Sequence, residues 1–383
     1  MKKKSILFLP SNKNHVHLFH NIYLRLRLDY NIVIITQGSF KSEYAEKTLK
    51  EFNIPFKKFE SYKEQNPNYI LKNEKINLII IGNDIDVIPQ WFVNCSHLLK
   101  IPSILIQDGM LFNYAIKHNL LSKIPIMLKN SKKLIALTIK LKLKKNYKKI
   151  SYGESNCTQI QVWGKNAKDY LESKKINPNK IVITGNPKFT TFFTKNSIPR
   201  KTHRIIYCPT SLIETGILSK SCTVNLIKTL CEVVSKIPEI TLVIKPHPVE
   251  NKLFYKKIIK KYKNNIELSS QSVECLLPDS DILITNLSTV SLDGIIYSKP
   301  VLFYFPDLKK IVGSKSFPMV LIKKKGALYA FDQNSLENQL KRILVNGFSI
   351  TESTRKEILE EFYGKINSNP VENSVKEIKK LLN

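Results

Sequence analysis

The chain has 383 residues, which is enough for two domains that each bury a core of their own. Apolar residues make up 43% of it and charged residues 24%, so a largely disordered protein is excluded. The net charge is +30, yet only six of the 61 Lys and Arg residues are Arg. Because Arg reads phosphates and base edges with two hydrogen bonds, this composition favours a diffuse attraction to an anionic partner, or a plain Lys-rich background, over sequence-specific nucleic-acid binding.

Short apolar segments alternate with helix-like segments along the first half of the chain. Each is almost continuously apolar, which is typical of parallel strands buried on both faces of a sheet. The predicted strands of this half are Ser5–Leu9, Asn31–Thr36, Leu78–Ile81, Ser103–Ile106, Val162–Gly164 and Ile181–Thr184. The apolar stretch after the lysines at 2–4 is too short for a signal peptide, and no stretch of about 18 uninterrupted apolar residues occurs, so we expect no transmembrane helix.

Three histidines, His15, His17 and His20, follow the first predicted strand. Two of them have the His-x-His spacing that occurs in metal sites. No acidic residue or Cys beside them completes a ligand set. We therefore expect no metal here, and we assign these side chains to acceptor contacts or to helix packing.

The fourth predicted strand runs into Gln107-Asp108-Gly109. A carboxylate at the carboxyl end of a parallel strand is well placed to act as a general base on a hydroxyl group. The Asp-Gly pair is also common in turns, so Asp108 has both a catalytic and a structural interpretation.

A basic segment follows directly. No acidic residue occurs from 109 to 153, and residues 117–149 contain eleven Lys interleaved with Leu, Ile and Met. Such a composition is typical of segments that lie at a membrane surface, where each Lys near an anionic leaflet adds about 1 kcal/mol of attraction. A groove for an acidic acceptor and a plain solvated surface have the same composition, so three interpretations stay open.

The second half repeats the alternation of strands and helices. Its predicted strands are Ile205–Cys208, Thr241–Ile244, Ile282–Thr285 and Val301–Tyr304, and its predicted helices are Ser219–Lys236, Asn251–Lys263 and Thr289–Tyr297. Such βα units predict doubly wound α/β sheets. A Pro-, Ser- and Thr-containing stretch at 186–202 suits a linker, so we assign residues 1–186 to a first domain, 203–350 to a second and 351–383 to C-terminal helices.

Three segments of the second half carry side chains suited to an anionic ligand. The first is Thr210 and Ser211, which follow the first strand of this half at the turn where Rossmann domains bind phosphate. The second is Lys245-Pro246-His247-Pro248, in which two prolines hold a cation and an imidazole at a strand end. Helix capping is the alternative role for the hydroxyls of Thr210 and Ser211.

The third segment runs from Asn286 to Gly294 and contains Ser288, Thr289 and Asp293. Hydroxyl groups at the start of a helix favour an anion, and a carboxylate one turn later can accept hydrogen bonds from ribose hydroxyls. Ordinary capping and a surface acid are the alternatives. Together with the His-Pro segment before it, this one favours a nucleotide site.

These segments together resemble the GT-B glycosyltransferases of bacterial surface polysaccharides, in particular the CDP-glycerol glycerophosphotransferases and the capsule polysialyltransferases. The polysialyltransferases have an acidic-acidic-Gly motif, a His-Pro motif and a Ser/Thr motif. Here Gln107–Gly109, His247-Pro248 and Ser288-Thr289 are similar to them. The resemblance implies Asp108 near the acceptor hydroxyl, His247 on the donor phosphate, and Ser288 and Thr289 beside it, although Gln107 replaces the acid that serves as base in that family.

Shorter strings add to the resemblance. Tyr207–Thr210 looks like the start of the second domain of the glycerophosphotransferases. Val162–Gly164 and Thr184–Pro187 resemble the crossover of GT-B enzymes, including the UDP-GlcNAc 2-epimerase group. This implies that Gly185 and Asn186 lie at the crossover between the domains.

The expectation is a GT-B fold with two Rossmann-like α/β domains facing across a cleft. The implied enzyme moves a sugar or a polyol phosphate from a CMP-, CDP- or UDP-linked donor to a cell-surface polysaccharide or a lipid-linked acceptor. We expect it to need no cofactor and no metal, because cations and helix ends can stabilise the departing phosphate, and to work at the inner face of the cytoplasmic membrane without nucleic acid. A nucleotide-sugar epimerase and, less favoured, a basic nucleic-acid-binding protein are the alternatives.

Overall fold

The computed structural model describes residues 3–37, 42–111, 150–189, 203–214, 216–247, 250–262, 265–306, 316–365 and 367–383. The basic segment 117–149 lies outside the described residues, as does most of the stretch 186–202 in which the sequence predicts a linker. The described residues form two compact units. The first contains residues up to 111, 150–189 and 360–383, and the second contains residues from 203 to 359.

In the described part of the chain, the first unit has a sheet of seven strands. They are β1 (Ser5–Leu9), β2 (Asn31–Thr36), β3 (Lys57–Lys58), β4 (Ile76–Ile81), β5 (Ser103–Ile106), β6 (Gln159–Val162) and β7 (Ile181–Ile183). Their order is β3-β2-β1-β4-β5-β6-β7, and all neighbours pair in parallel. The helices of this unit are Lys13–Leu26, Ser42–Glu51, Pro67–Asn73, Val87–Leu98, Lys165–Ser173 and Pro370–Leu382.

Strand β1 explains why these segments are continuously apolar. Ile6 and Phe8 contribute to the core on one face of the sheet, and Leu7 and Leu9 contribute to the core on the other. Because both faces of the sheet are covered, the positions from Ile6 to Leu9 are all buried and all apolar.

The C-terminal helix Pro370–Leu382 belongs to the first unit although it is last in the chain. Asn369 caps it, with Pro370 in its first turn. Val371, Val375 and Ile378 recur at helical spacing and join the core that contains Ile6 and Phe8. Burying each such side chain contributes about 1.5–3 kcal/mol, so this helix is an integral part of the unit.

The second unit has a sheet of six parallel strands within its described residues. They are β8 (His203–Cys208), β9 (Ile240–Ile244), β10 (Ile266–Leu268), β11 (Ile282–Thr285), β12 (Val301–Tyr304) and β13 (Leu328–Ala330), in the order β10-β9-β8-β11-β12-β13. Its helices are Lys220–Ser235, Lys252–Ile259, Val273–Leu276, Val290–Ile296, Phe317–Lys323, Gln333–Asn346 and the first part of Glu352–Tyr363. The prediction of two Rossmann-like α/β domains is thus confirmed.

One predicted strand is wrong. The strand expected at Val162–Gly164 is Gln159–Val162, and Gly164 instead precedes the helix Lys165–Ser173. The sequence hides this strand because two of its residues are glutamines, although both are buried. The amide of Gln159 donates to Glu377 at 3.2 Å, and Gln161 accepts a hydrogen bond from the hydroxyl of Ser374.

The strands β3, β10 and β13 were not predicted, because each has only two or three residues and lies at or near a sheet edge. Among the helices of the described residues, none combines the length and the apolar character that crossing a bilayer requires.

Candidate functional site

In each sheet the strand order reverses at the first strand of the unit, β1 or β8. β1 pairs with both β2 and β4, and β8 pairs with both β9 and β11. In open α/β sheets the loops at the carboxyl ends of the strands separate at such a point and leave room for a ligand. The predicted site residues follow β5 in the first unit and follow β8, β9 and β11 in the second.

Asp108 follows β5 and is hydrogen-bonded to a histidine that the sequence did not pair with it. Its Oδ2 lies 2.7 Å from Nε2 of His15, in the first turn of the helix after β1. The side chain of His15 is fully buried, whereas that of Asp108 is 28% exposed. The carboxylate is therefore held from the protein side and remains open to a substrate on its other side.

Two local features place the ring of His15. The side chain of Asn12 caps the helix by accepting a hydrogen bond from the backbone N–H of His15 at 3.1 Å. Gly82, directly after β4, packs against the ring so closely that a Cβ there would lie 2.8 Å from two ring atoms. A glycine at this position is thus required by the space that the imidazole fills.

Gln107 precedes Asp108 but is fully buried. Its Oε1 accepts a hydrogen bond from the backbone N–H of Trp163 at 2.8 Å, and its Nε2 donates to the carbonyl of Gly109 at 2.7 Å. The indole N–H of Trp163 donates in turn to the backbone carbonyl of Gln107 at 2.8 Å. Gln107 therefore joins β5 to the end of β6, and Asp108 is the residue of this pair that reaches the surface.

Two further groups lie behind Asp108. The buried carboxylate of Asp84 accepts hydrogen bonds from the backbone N–H groups of Gly153 and Ser155, at 3.0 and 3.2 Å for Oδ2. Its burial nevertheless raises the pKa of Asp84. Burial, and then the negative charge of Asp108, raise the pKa of Tyr152 well above its ordinary value, so this phenol stays protonated and donates to the carbonyl of Ile106 at 3.3 Å.

The other two histidines of this helix pack against an aromatic ring. The ring centroids of His17 and His20 lie 5.4 and 4.2 Å from that of Phe52. Helix packing, one of the two roles expected for these residues, accounts for their positions.

Acidic pairs in Asp-x-Asp spacing occur at 84–86 and at 279–281. Asp84 is engaged as described above, Asp86 accepts from Asn83 at 3.1 Å, and Asp281 accepts from the backbone N–H of Arg204 at 2.7 Å. Within the described residues, no group of three or more His, Cys, Asp and Glu is placed to hold a metal ion.

In the second unit, Thr210 ties the loop after β8 to the loop after β11. Its hydroxyl accepts a hydrogen bond from the backbone N–H of Leu287 at 3.1 Å, and its own N–H donates to Oδ1 of Asn286 at 3.4 Å. Asn286 is fully buried; it also accepts from the hydroxyl of Tyr207 at 3.0 Å and donates to the carbonyl of Tyr304 at 2.6 Å. These contacts hold the two loops at a fixed separation.

The hydroxyl segment after β11 begins the helix Val290–Ile296. The hydroxyl of Ser288 accepts from the backbone N–H of Val290 at 3.3 Å, and its carbonyl accepts from the hydroxyl of Ser291 at 2.8 Å. Thr289 is exposed and Asp293 is half-buried. Ser288 thus accepts a hydrogen bond at the start of the helix and can still donate its own hydroxyl hydrogen, and Thr289 is the more accessible hydroxyl.

The loop after β9 presents Lys245 half-buried and His247 exposed. The backbone N–H of His247 donates to Oε2 of Glu250 at 2.7 Å, and the hydroxyl of Tyr255 donates to Oε1 of the same carboxylate at 2.8 Å. Burial raises the pKa of Glu250 to about 7. Glu250 was not predicted as a site residue, and no spacing in the sequence points to it.

The buried thiol of Cys208 lies at the carboxyl end of β8, between two of these segments. Its burial raises its pKa to about 12, and the charges of Lys245 and Asp293 act on it with opposite signs. Lys245 follows β9 and Asp293 lies in the helix after β11, on either side of β8. The carboxyl end of β8 therefore lies between a cation and a carboxylate.

The comparison with known sequences now decides the family. Residues 159–366, more than half of the chain, match the family of CDP-glycerol:poly(glycerophosphate) glycerophosphotransferases. The chain belongs to this family. It is accordingly a transferase that uses a nucleotide-activated donor in the synthesis of a cell-surface polymer. No curated protein sequence matches the chain.

Solved structures show the fold of this glycerophosphotransferase-family chain. MnaA from S. aureus in complex with UDP is 12% identical, with a TM-score of 0.63, and the match covers 99% of this chain and 97% of that one. The UDP-GlcNAc 2-epimerase from Neisseria meningitidis bound to UDP-GlcNAc is 15% identical, with a TM-score of 0.60 and 99% of both chains covered. The glycotransferase of kitacinnamycin is 12% identical, with a TM-score of 0.59 and full coverage of both chains.

These similarities show a GT-B fold that epimerases and glycosyltransferases share. At such low identity the fold alone is common to them, so the epimerase alternative is not favoured over the transferase that the family match shows.

Within the family's matched region, Gly185 and Asn186 lie where the C-terminal segment packs on the first unit. Gly185 has a φ of +89°, and a Cβ on it would lie 2.8 Å from the ring of Pro370. The N–H of Asn186 donates to the carbonyl of Tyr363 at 3.1 Å. Both residues therefore have a packing role in the described structure, and their predicted place at a crossover between domains stays a prediction.

Proposed function

We propose that this glycerophosphotransferase-family enzyme transfers a polyol phosphate from a CDP-linked donor to a hydroxyl group of a cell-surface polymer or its lipid-linked precursor. One observation carries the proposal. The loops after β9 and β8 and the helix after β11 bring Lys245, Thr210 and Asp293 to the carboxyl ends of three adjacent strands, beside the strand at which the order of the second sheet reverses. A nucleotide diphosphate needs this combination of a cation, hydroxyl groups and a carboxylate for its phosphates and ribose.

In the proposed reaction the acceptor oxygen forms a bond to the phosphorus atom that carries the polyol. The bond from that phosphorus to the bridging oxygen of the nucleotide breaks, and CMP leaves with the electron pair. The acceptor hydroxyl gives its proton to Asp108. Lys245 and His247 stabilise the charge that develops on the departing phosphate, with the hydroxyls of Thr210, Ser211, Ser288 and Thr289 as further donors.

The first test measures donor binding and product release. Purified protein is screened by thermal shift against CDP-glycerol and against CMP-, CDP- and UDP-linked sugars, because a ligand that binds the folded chain raises its unfolding temperature. We expect stabilisation by CDP-glycerol, and CMP release that depends on added acceptor. Failure of every donor to stabilise the protein or to turn over would refute the proposal.

A sugar donor is the second candidate. It is supported by structures of the same fold that contain UDP or UDP-GlcNAc. Phosphorus NMR of the product distinguishes the two, since polyol-phosphate transfer adds a phosphodiester to the acceptor and sugar transfer adds none.

We also propose that the enzyme works at a membrane surface on the cytoplasmic side and turns over without a divalent ion. The acid-free, Lys-rich segment 117–149 supports the first point, and the cations of the donor loops support the second. Flotation with vesicles that contain anionic phosphatidylglycerol should recover the protein, and neutral vesicles should not. Loss of vesicle binding on replacing Lys140, Lys142, Lys144 and Lys145 would assign the binding to this segment. Unchanged turnover in EDTA would support turnover without a divalent ion.

A further inference from the structure

A chain of buried polar groups lies behind the carboxylate of Asp108. The backbone N–H of Ser11 donates to Nδ1 of His15 at 3.0 Å, and the hydroxyl of Ser11 donates to Oε1 of Gln37 at 3.2 Å. Nε2 of Gln37 donates to the carbonyl of Leu9 at 3.4 Å. All of these residues are buried, so the imidazole is held between the ends of β1, β2 and β5.

These contacts determine which nitrogen of His15 carries its proton. A backbone N–H can only donate, so Nδ1 must be the acceptor and must lack a hydrogen. The hydrogen of the neutral ring is therefore on Nε2, which lies 2.7 Å from Oδ2 of Asp108 and donates to it. Both ring nitrogens are engaged and the side chain is fully buried, so the imidazole itself has no site for a proton from a substrate.

We infer that His15 is the positioning residue for Asp108: it donates from Nε2 to one carboxylate oxygen, sets the rotamer of the acid and directs its other oxygen toward the acceptor hydroxyl. This inference rests on the proposed role of Asp108 as the base. In the proton-transfer step the acceptor proton moves to Asp108, and the Nε2 proton of His15 stays where it is. The ring holds the base and does not relay its proton.

The arrangement also explains why a Gln can precede Asp108. The amide of Gln107 fixes the end of β5 to Trp163, and His15 fixes the side chain of Asp108. Asp108 is thus held through its backbone and through its carboxylate. A general base needs this fixed geometry, because displacing a reacting group by about 1 Å can cost about 100-fold in rate.

The test uses variants of the full-length enzyme that differ in the Nε2–H donor. His15→Leu keeps a similar volume without a donor, His15→Gln keeps an N–H that can reach the carboxylate, and His17→Gln is the matched control on the same helix. We expect His15→Leu to lower kcat about 100-fold and His15→Gln to stay within about 10-fold of wild type. The donor Kd should be unchanged in both, since the proposed donor residues lie in the other unit.

A double-variant comparison tests whether His15 acts through Asp108. If it does, His15→Leu combined with Asp108→Asn should be no slower than Asp108→Asn alone. Multiplied losses, or a correctly folded His15→Leu variant with full kcat, would overturn the inference. Should His15→Leu fail to fold by circular dichroism, His15→Asn, whose shorter amide falls short of Asp108, replaces it in the same comparison.

The Asp108→Asn variant tests the proposed function separately, through the role of Asp108 as the base. If Asp108→Asn keeps wild-type kcat, the base lies elsewhere, and the positioning role falls with it. If Asp108→Asn is inactive and His15→Leu is not impaired, only the positioning role is refuted.

Discussion

The candidate sites of the two units are built in different ways. In the first unit the proposed base, Asp108, is held by direct contact with another side chain, the fully buried His15. In the second unit the rigid contacts join the loops to each other, through the buried Asn286 and through Thr210, while His247 and Thr289 are exposed. The difference fits the two tasks, because a base must meet one proton at one point, whereas a phosphate can be stabilised by several donors that approach it from different directions.

The two candidate sites also differ in the sign of the charge that they present. Asp108 carries the negative charge expected of a base, whereas the loops of the second unit present Lys245 and His247. Glu250, which accepts from the backbone N–H of His247, is kept partly protonated near neutrality because burial raises its pKa to about 7. Glu250 therefore cancels less of the positive charge of this site than a fully ionised carboxylate would.

Removing the carboxylate of the first site should have the largest effect. We expect Asp108→Asn to lower kcat by about 10³- to 10⁴-fold, since the amide keeps the shape of the side chain but cannot accept the acceptor proton. Initial rates at saturating donor measure this. Asp169→Asn, an exposed acid paired with Lys165 in the same unit, is the control and should retain wild-type kcat.

Removing one exposed donor of the second site should cost less. We expect His247→Ala to lower kcat by about 100-fold, because Lys245 and the hydroxyls continue to stabilise the leaving phosphate. His203→Ala, at the opposite end of β8, is the matched control. A loss for His247→Ala as large as that for Asp108→Asn would contradict the view that the second site distributes its work over several groups.

Restoring an acid at position 107 should affect stability instead of activity. The carboxylate of Gln107→Glu would face the carbonyl of Gly109, to which the amide now donates, and would leave that carbonyl without its donor. We expect a loss of about 1–3 kcal/mol in the free energy of unfolding, measured with urea, and no gain in kcat. A faster enzyme would mean that position 107 can reach the acceptor after all.

The smallest effect is a pH dependence of stability at Glu250. Its pKa is raised from 4.5 in the unfolded chain to about 7 in the folded one. The unfolded chain therefore releases this proton first, so the contribution of Glu250 is fully present below pH 4.5 and is lost as the pH rises through 7. Glu250→Gln lacks this titration while keeping one acceptor oxygen.

We therefore expect the unfolding temperature of Glu250→Gln to rise relative to wild type as the pH increases across this range. Scanning calorimetry at a series of pH values measures the difference, with Glu267→Gln, on the neighbouring edge strand β10, as the control. A difference that is constant with pH would show that folding does not raise the pKa of Glu250.

Much of the fold could be predicted from the sequence, because parallel strands buried on both faces leave continuous apolar runs. The strands Ser5–Leu9, Ser103–Ile106 and Ile282–Thr285 were predicted with the bounds that the structure shows. The strand Gln159–Val162 was misplaced, because its glutamines find their partners on a helix more than 200 residues later in the chain. A local pattern cannot show that a polar residue will be satisfied by so distant a segment.

The sequence by itself determined the fold class and supplied the candidate site residues, since both depend on residue types within and at the ends of apolar runs. Only the tertiary structure decided how those residues are supported. It paired Asp108 with His15, 93 residues away, turned Gln107 into the core, and placed Glu250 beneath His247. The physical reason is that a hydrogen bond depends on distance and direction between two side chains, and parallel sheet topology sets these by bringing together strand ends that are remote in the chain.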